Sequence, residues 1–193
     1  VYRGKNTTIP VGHAFPYTCS REVYDEIGRQ MQAAVTASGA DRCSINADVF
    51  VDGNKVSIIE MGGRTGATCI PELISIYYGF DFYEKMLRSA LGETVEFNCT
   101  GKQPCMAKLL LSPAEGKISH IDIEGIRRLE EKGVVVSLDF PVGHKVFAMA
   151  DGTDRIGHII ARTEEESQLD AWMMEAYRCI FIDGVSLEDI WKR

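Results

Sequence analysis

Asp48, Glu60 and Arg64 are the residues whose types and spacing suit chemistry on a phosphate. Two carboxylates that share a strand surface repel each other unless a cation lies between them. Magnesium takes hard oxygen ligands, keeps several waters, and is commonly held by one or two carboxylates plus substrate phosphates. An arginine just beyond the pair can fork onto a phosphate or carboxylate oxygen. Gly62, Gly63 and Gly66 surround Arg64, yet neither GxxxxGK[ST] nor GxGxxG is present, so these glycines read as a sharp turn rather than a phosphate cradle. On residue types alone, the solvated face of a hairpin is the simpler reading of the two acids.

The elements that must position these groups are two strand-like runs, CSINADVFV and KVSIIEM, joined by Asp52-Gly53-Asn54, a strong hairpin signal. Side chains alternate faces along a strand, so the turn decides which of them meet. A three-residue loop pairs Val51 with Lys55 and gathers Asn46, Asp48, Phe50, Ile58 and Glu60 on one face. Phe50 and Ile58 would then form an apolar wall beside the acids. A two-residue loop puts Asp48 and Glu60 on opposite faces. The sequence leaves both open.

Around the hairpin the chain reads as α+β. Ser20 caps a helix to about Ser38, with Val23, Ile27, Met31, Ala34 and Val35 as its apolar stripe and Gly39 at its end. Pro71 opens a short helix closed near Gly79, and Asp81 with Glu84 reads as a capping box for another through Leu91. Beyond a polar break, NCTGKQPC, short strands are expected near 106–112, 118–123, 134–139, 144–149 and 155–161, with a short helix at IEGIRRLEE. Thr163 with Glu166 reads as the capping box of a last helix, whose Leu169, Trp172, Met173, Ala176 and Ile180 share a face. Two units follow, 1–93 and 94–193, with the boundary near 93–103. The opening VYRGKNTTIP reads as mid-strand, which suggests a piece of a longer chain.

A formal net charge of −7 argues against a broad nucleic-acid surface or an anionic-membrane surface. No apolar run approaches membrane-spanning length, and no signal peptide is evident. The six cysteines show no CxxC spacing, so reduced thiols in a cytoplasmic protein are expected rather than a zinc site or disulfide framework. Elsewhere, His13 and His144 read as solvated or structural histidines, and Arg155 as a surface group with some reach toward a site. Cys69 lacks a histidine partner, Asp41 and Arg42 pair or cap locally, and Trp172 and Met173 are core.

The run NADVFVDGNKVSIIEMGGRTGATCIPELISIYYGFDFYEKMLRSALGE resembles the C-terminal part of an ATP-grasp ligase core. That family carries an acid-bearing strand, a short turn, and a strand ending in an E-x-N-x-R-like signature, followed by a glycine turn and a trailing helix. Its second acid follows the first by about a dozen residues, and Asp48 and Glu60 are twelve apart. The resemblance covers about residues 1–93. Residues 105–182, through GTDRIGHIIARTEEES, resemble the small C-terminal subdomain of the L-amino-acid-ligase and carbamoyl-phosphate-synthetase-like groups.

The resemblance implies the C-terminal half of an ATP-grasp core, an antiparallel sheet with helices, followed by a small α+β subdomain. It implies ATP and Mg2+, or Mn2+ in its place, held by Asp48 and Glu60. Phe50 would lie against adenine, with Ile58 and Asn46 beside it, and Arg64 would steady an acyl-phosphate. The implied reaction joins a small carboxylate to an amine, in a chain that lacks the N-terminal nucleotide-gripping regions and for which a homodimer is an allowed assembly. The chain departs from the family at Gly62, where an extra metal ligand, Asn, is frequent. A non-catalytic interaction or regulatory domain of the same fold is the alternative.

Overall fold

The computed structural model of the chain describes residues 2–3 and 8–192. Part of the opening VYRGKNTTIP, Val1 and residues 4–7, lies outside the described residues. The chain divides into two units, Pro16–Lys102 and Val1–Phe15 with Gln103–Arg193. The first strands thus join the C-terminal unit instead of the hairpin unit, which differs from the expected split at 1–93. Strands β1 (Tyr2–Arg3) and β2 (Thr8–Ile9) pair with each other, and β3 (Gly12–Phe15) pairs antiparallel with a strand of the C-terminal half. Strand partnership across about ninety residues of sequence leaves no local signal.

The hairpin unit runs α1 (Arg21–Ser38), β4 (Asn46–Asp52), β5 (Lys55–Gly62), α2 (Ile70–Tyr78) and α3 (Phe82–Ala90). The Ser20 hydroxyl accepts from the Val23 N–H to start α1, and Gly39, at φ 66°, ends it, both as the sequence predicts. The Asp81 carboxylate caps α3 by accepting from the Glu84 N–H at 3.0 Å, while Glu84 itself reaches Arg88 at 3.2 Å. Helix α1 lies against the hairpin, and the Gln30 amide donates to the Val56 carbonyl at 2.8 Å. The buried apolar side chains of this unit are few: Val23, Val56, Cys69, Pro71, Leu73, Tyr77 and Phe82.

The C-terminal unit continues with β6 (Cys105–Leu110), β7 (Gly116–Ile121), α4 (Ile123–Glu131), β8 (Val134–Leu138), β9 (Lys145–Val146), β10 (Gly157–Ala161), α5 (Glu166–Arg178), β11 (Ile180–Ile182), β12 (Val185–Ser186) and α6 (Leu187–Trp191). Apart from the β1–β2 pair, its strands form two four-stranded sheets, ordered β3-β6-β10-β8 and β12-β11-β7-β9. One core joins them, built from Leu110, Ile118, Leu129, Val134, Ile156, Ile159, Leu169, Ile180 and Leu187 among others. Helix α5 starts at Glu166 and ends at Arg178, so two expectations shift. Thr163 makes a local turn, accepting from the Glu165 N–H at 3.0 Å, and Ile180 opens β11 instead of extending the helix face. The end of the chain, β11 through α6, carried no signal in the sequence. Among the described residues no helix is long and apolar enough to cross a membrane.

Candidate functional site

The turn between β4 and β5 has two residues, Gly53 and Asn54, because Asp52 pairs with Lys55. The three-residue register is therefore corrected: Val51 faces Val56, not Lys55. Continued without interruption, a two-residue turn separates the acids onto opposite faces. It is interrupted. Val49 pairs with Ile58, yet the next pair is Asp48 with Glu60, so Ile59 is an extra residue bulged from β5. A bulge inserts one residue, shifts the register by one, and re-aims every side chain beyond it. Asp48 and Glu60 thereby stand directly opposite each other. Ile59 is left 68% exposed.

The two-residue turn and the bulge together decide which predicted partners share the face. Val51 with Val56 and Val49 with Ile58 turn inward, half-buried or buried. Ile58 therefore does not line the acidic face, against the sequence expectation. Phe50 does; its ring, opposite Ser57, is 59% exposed. Asn46 pairs with Gly62 and falls on the same side as Asp48. Its side-chain oxygen lies over Gly66, where an added Cβ would meet it at 2.7 Å and Ile70 Cδ1 at 2.8 Å. A side chain at position 66 would therefore push the ends of Asn46 and Ile70, the first residue of α2, aside.

Neither Asp48 nor Glu60 has an ion-pair partner within 4.0 Å among the described residues, and both are exposed. Arg64 folds back over the turn: its N–H donates to the Gly62 carbonyl at 2.9 Å. One terminal nitrogen, Nη1, donates to the Thr65 carbonyl at 2.9 Å, leaving the rest of the fork for a ligand. A Cβ at Gly62 would lie 3.8 Å from Arg64 Cγ, in ordinary contact, and Gly62 is not among the residues with positive φ. Thr68 and Cys69 close the glycine turn with φ 55° and 66°, and Cys69 is buried.

The donor set fits magnesium. Two facing carboxylates with no ion-pair partner among the described residues repel each other, a repulsion that a cation would relieve, and an exposed position leaves room for waters and phosphate oxygens. Among the described residues no group of three or more His, Cys, Asp or Glu side chains is placed to hold a metal by itself. That set suits an ion shared with a substrate better than a closed structural site.

The other residues singled out from sequence make contacts within their own units. His144 stacks on Phe140 with centroids 3.7 Å apart. Arg155 Nε pairs with Asp139 at 2.6 Å. His13 stands on β3 opposite Ala107. Asp41 and Arg42 form an exposed pair at 3.7 Å. Trp172 and Met173 pack on the C-terminal core.

No family model matches the sequence. An uncharacterized protein of Sinorhizobium fredii, y4rH, is 24% identical over 168 residues, which are 86% of this chain and 35% of that one. Among solved structures, phosphoribosylglycinamide synthetase from Anaerococcus prevotii superposes with TM-score 0.78 at 23% identity, covering 92% of this chain and 46% of that one. L-amino acid ligase from Bacillus licheniformis gives 0.70 at 17% identity, covering 91% and 44%. The biotin carboxylase domain of the Hydrogenobacter thermophilus 2-oxoglutarate carboxylase, solved with MgADP, ADP and bicarbonate, gives 0.69 at 17%, covering 99% and 44%. These are ATP-grasp ligases, and the mixed fold with antiparallel sheets is theirs. The chain spans less than half the length of each.

Proposed function

We infer, from a fold shared with part of the ATP-grasp ligases, that the chain supplies the metal- and phosphate-facing half of an ATP-dependent carboxylate–amine ligase. The observation that carries this reading is the bulge at Ile59, which sets Asp48 against Glu60 on an exposed face. An unpaired acid pair is a local cost to a small hairpin. A bulge that creates the pair, where an unbroken register avoids it, reads as a feature with a use. Asp48 and Glu60 would hold Mg2+, and the ion when bound neutralises the charge of the ATP phosphates. The Arg64 fork steadies the charge on the phosphate transferred to the substrate carboxylate, and Phe50 offers its ring to the nucleotide base. An amine then attacks the acyl-phosphate carbon and phosphate leaves. The protein's part is positioning and electrostatics. A soluble, cytoplasmic ligase acting on small substrates, grouped with the L-amino-acid-ligase and carbamoyl-phosphate-synthetase-like enzymes, is the fuller form of the same reading.

The test is Mn2+ binding with and without ATP, followed by electron paramagnetic resonance, on the parent, Asp48→Asn and Glu60→Gln. The parent is expected to bind Mn2+ more tightly when ATP is present, and each variant to lose most of that gain. Variants that bind Mn-ATP like the parent remove the assignment. Steady ATP turnover by the 193 residues alone would contradict the half-site reading.

One observation favours a second reading, a non-catalytic domain that keeps the fold. Gly62 stands where the resembling family frequently has an asparagine ligand, although the backbone there leaves room for a side chain. Gly62→Asn separates the two. Tighter Mn2+ binding in that variant marks a site that has lost a ligand, and unchanged binding marks one that never used it.

A further inference from the structure

A cavity of about 430 Å3 opens within the C-terminal unit, between the β3–β6 edge of its sheet and helices α5 and α6. Its wall is mostly hydrocarbon and thioether: Leu109, Leu111, Met149, Met173, Met174 and the Trp191 ring. Methionine is flexible and polarisable, and three together make a wall that adapts to its contents. Water gains few hydrogen bonds in such a space. The volume falls in the range of small-molecule sites, which are mainly apolar with a few placed polar groups.

The polar groups here narrow the occupant. Tyr177, 2% exposed, lines the cavity, and its phenol oxygen accepts the Leu111 N–H at 3.3 Å. Trp191 Nε1 donates to the Leu111 carbonyl at 2.9 Å and stacks its ring parallel to Tyr177 with centroids 6.1 Å apart. No described residue takes the Tyr177 hydroxyl hydrogen, so that proton is available to a guest. Burial pushes the phenol up to about 12, which keeps it a donor at neutral pH.

The two ammonium groups at the rim are already committed. Lys108, its side chain 18% exposed, is paired to Glu166 at 3.2 Å and to Asp170. Lys192 reaches Glu188 at 3.0 Å, and Glu188 is also held by Arg178 at 2.7 Å. An anionic guest would have to displace carboxylates already in place. A cationic guest would meet two lysines.

We propose that this cavity binds a small uncharged molecule, largely hydrocarbon, carrying one hydrogen-bond acceptor such as a ketone oxygen, which receives the Tyr177 hydroxyl hydrogen. The site is independent of the acidic pair and does not rest on the ligase reading.

The probe is Prodan, a neutral naphthyl ketone whose emission moves to the blue in apolar surroundings, with 2-naphthoate as an anionic counterpart. Prodan is expected to bind the full chain saturably, with blue-shifted emission and quenching of Trp191. Tyr177→Phe keeps the ring but removes the donor, and should weaken binding about fivefold to tenfold, the scale of one neutral hydrogen bond. Met174→Trp fills the space and should abolish binding, and it carries the test if Tyr177→Phe does not fold. Absence of saturable binding to the parent, binding that neither substitution changes, or tighter binding of 2-naphthoate than of Prodan would each overturn the proposal.

Discussion

The two units differ in how they are held together. The C-terminal unit surrounds Leu110, Ile118, Leu129, Ile159, Leu169 and Ile180, all nearly or fully buried, with two sheets and three helices. The hairpin unit buries seven apolar side chains and contains a two-stranded ribbon, yet it carries the acids, the arginine and the exposed Phe50. A two-stranded hairpin is marginal in water without further packing. Charge and curvature that a dense core would reject are tolerated where packing is thin. On the proposed reading, stability and chemistry fall to different parts of the chain.

Five substitutions would break or sharpen that contrast. The largest effect is expected in the dense core, where Leu169→Ala should cost about 3–5 kcal/mol in urea unfolding, the scale of a buried leucine truncated in a close-packed site. Hydrogen exchange should show β4 and β5 opening more readily than β6 and β10; the reverse order would erase the contrast.

Next comes Gly66→Ala, whose new methyl would meet Asn46 and Ile70 at under 3 Å. Overpacking of this kind costs about 1–3 kcal/mol. Gly62→Ala, with its nearest neighbour 3.8 Å away, should change stability far less. Equal losses at the two glycines would mean that the turn, not the seating of Asn46, sets the requirement.

A smaller effect, of opposite sign, belongs to the acids. With a chelator present, Asp48→Asn should stabilise the protein by about 0.2–1 kcal/mol, because like charges directly across a ladder repel. Magnesium should raise the melting temperature of the parent but not of this variant. A destabilised variant in chelator would show that the carboxylate serves the fold.

The mildest change is a pH dependence at Glu188. Hydrogen bonds from Arg178 and then Lys192 hold its carboxyl down to about 2, below its ordinary value of 4.5. A depressed folded-state value contributes stability above the unfolded value, lost as pH falls through the folded one. Glu188→Gln should therefore be less stable than the parent above about pH 4.5, with the gap closing toward pH 2. A gap that persists to pH 2 would assign the effect to packing.

Much of this was legible beforehand where the signal is local. Ser20 and Gly39 bracket α1, Gly79 ends α2, and Asp81 opens α3, because caps and left-handed turns are chosen by single residues. Asp48, Glu60 and Arg64 could be singled out as candidates, since the carboxylate spacing and glycine turn lie within twenty residues, but whether the two acids meet stayed open. What failed is long-range or cumulative. Strand β3 has no signature that sends it to β6, and β11, β12 and α6 are too short to show a period.

For the site, the sequence determined which residue types were on hand: Asp48 and Glu60 on paired strands, Phe50 near them, Arg64 after them. The tertiary structure decided which of them meet. Turn signals alone do not distinguish a two-residue from a three-residue loop, and nothing in KVSIIEM marks Ile59 as the extra residue. A bulge depends on how both strands and α1 settle together, and one slipped residue turns every side chain beyond it to the other face. The two-residue turn leaves Ile58 opposite Val49, away from the acids, and the slip beyond it sets Asp48 against Glu60.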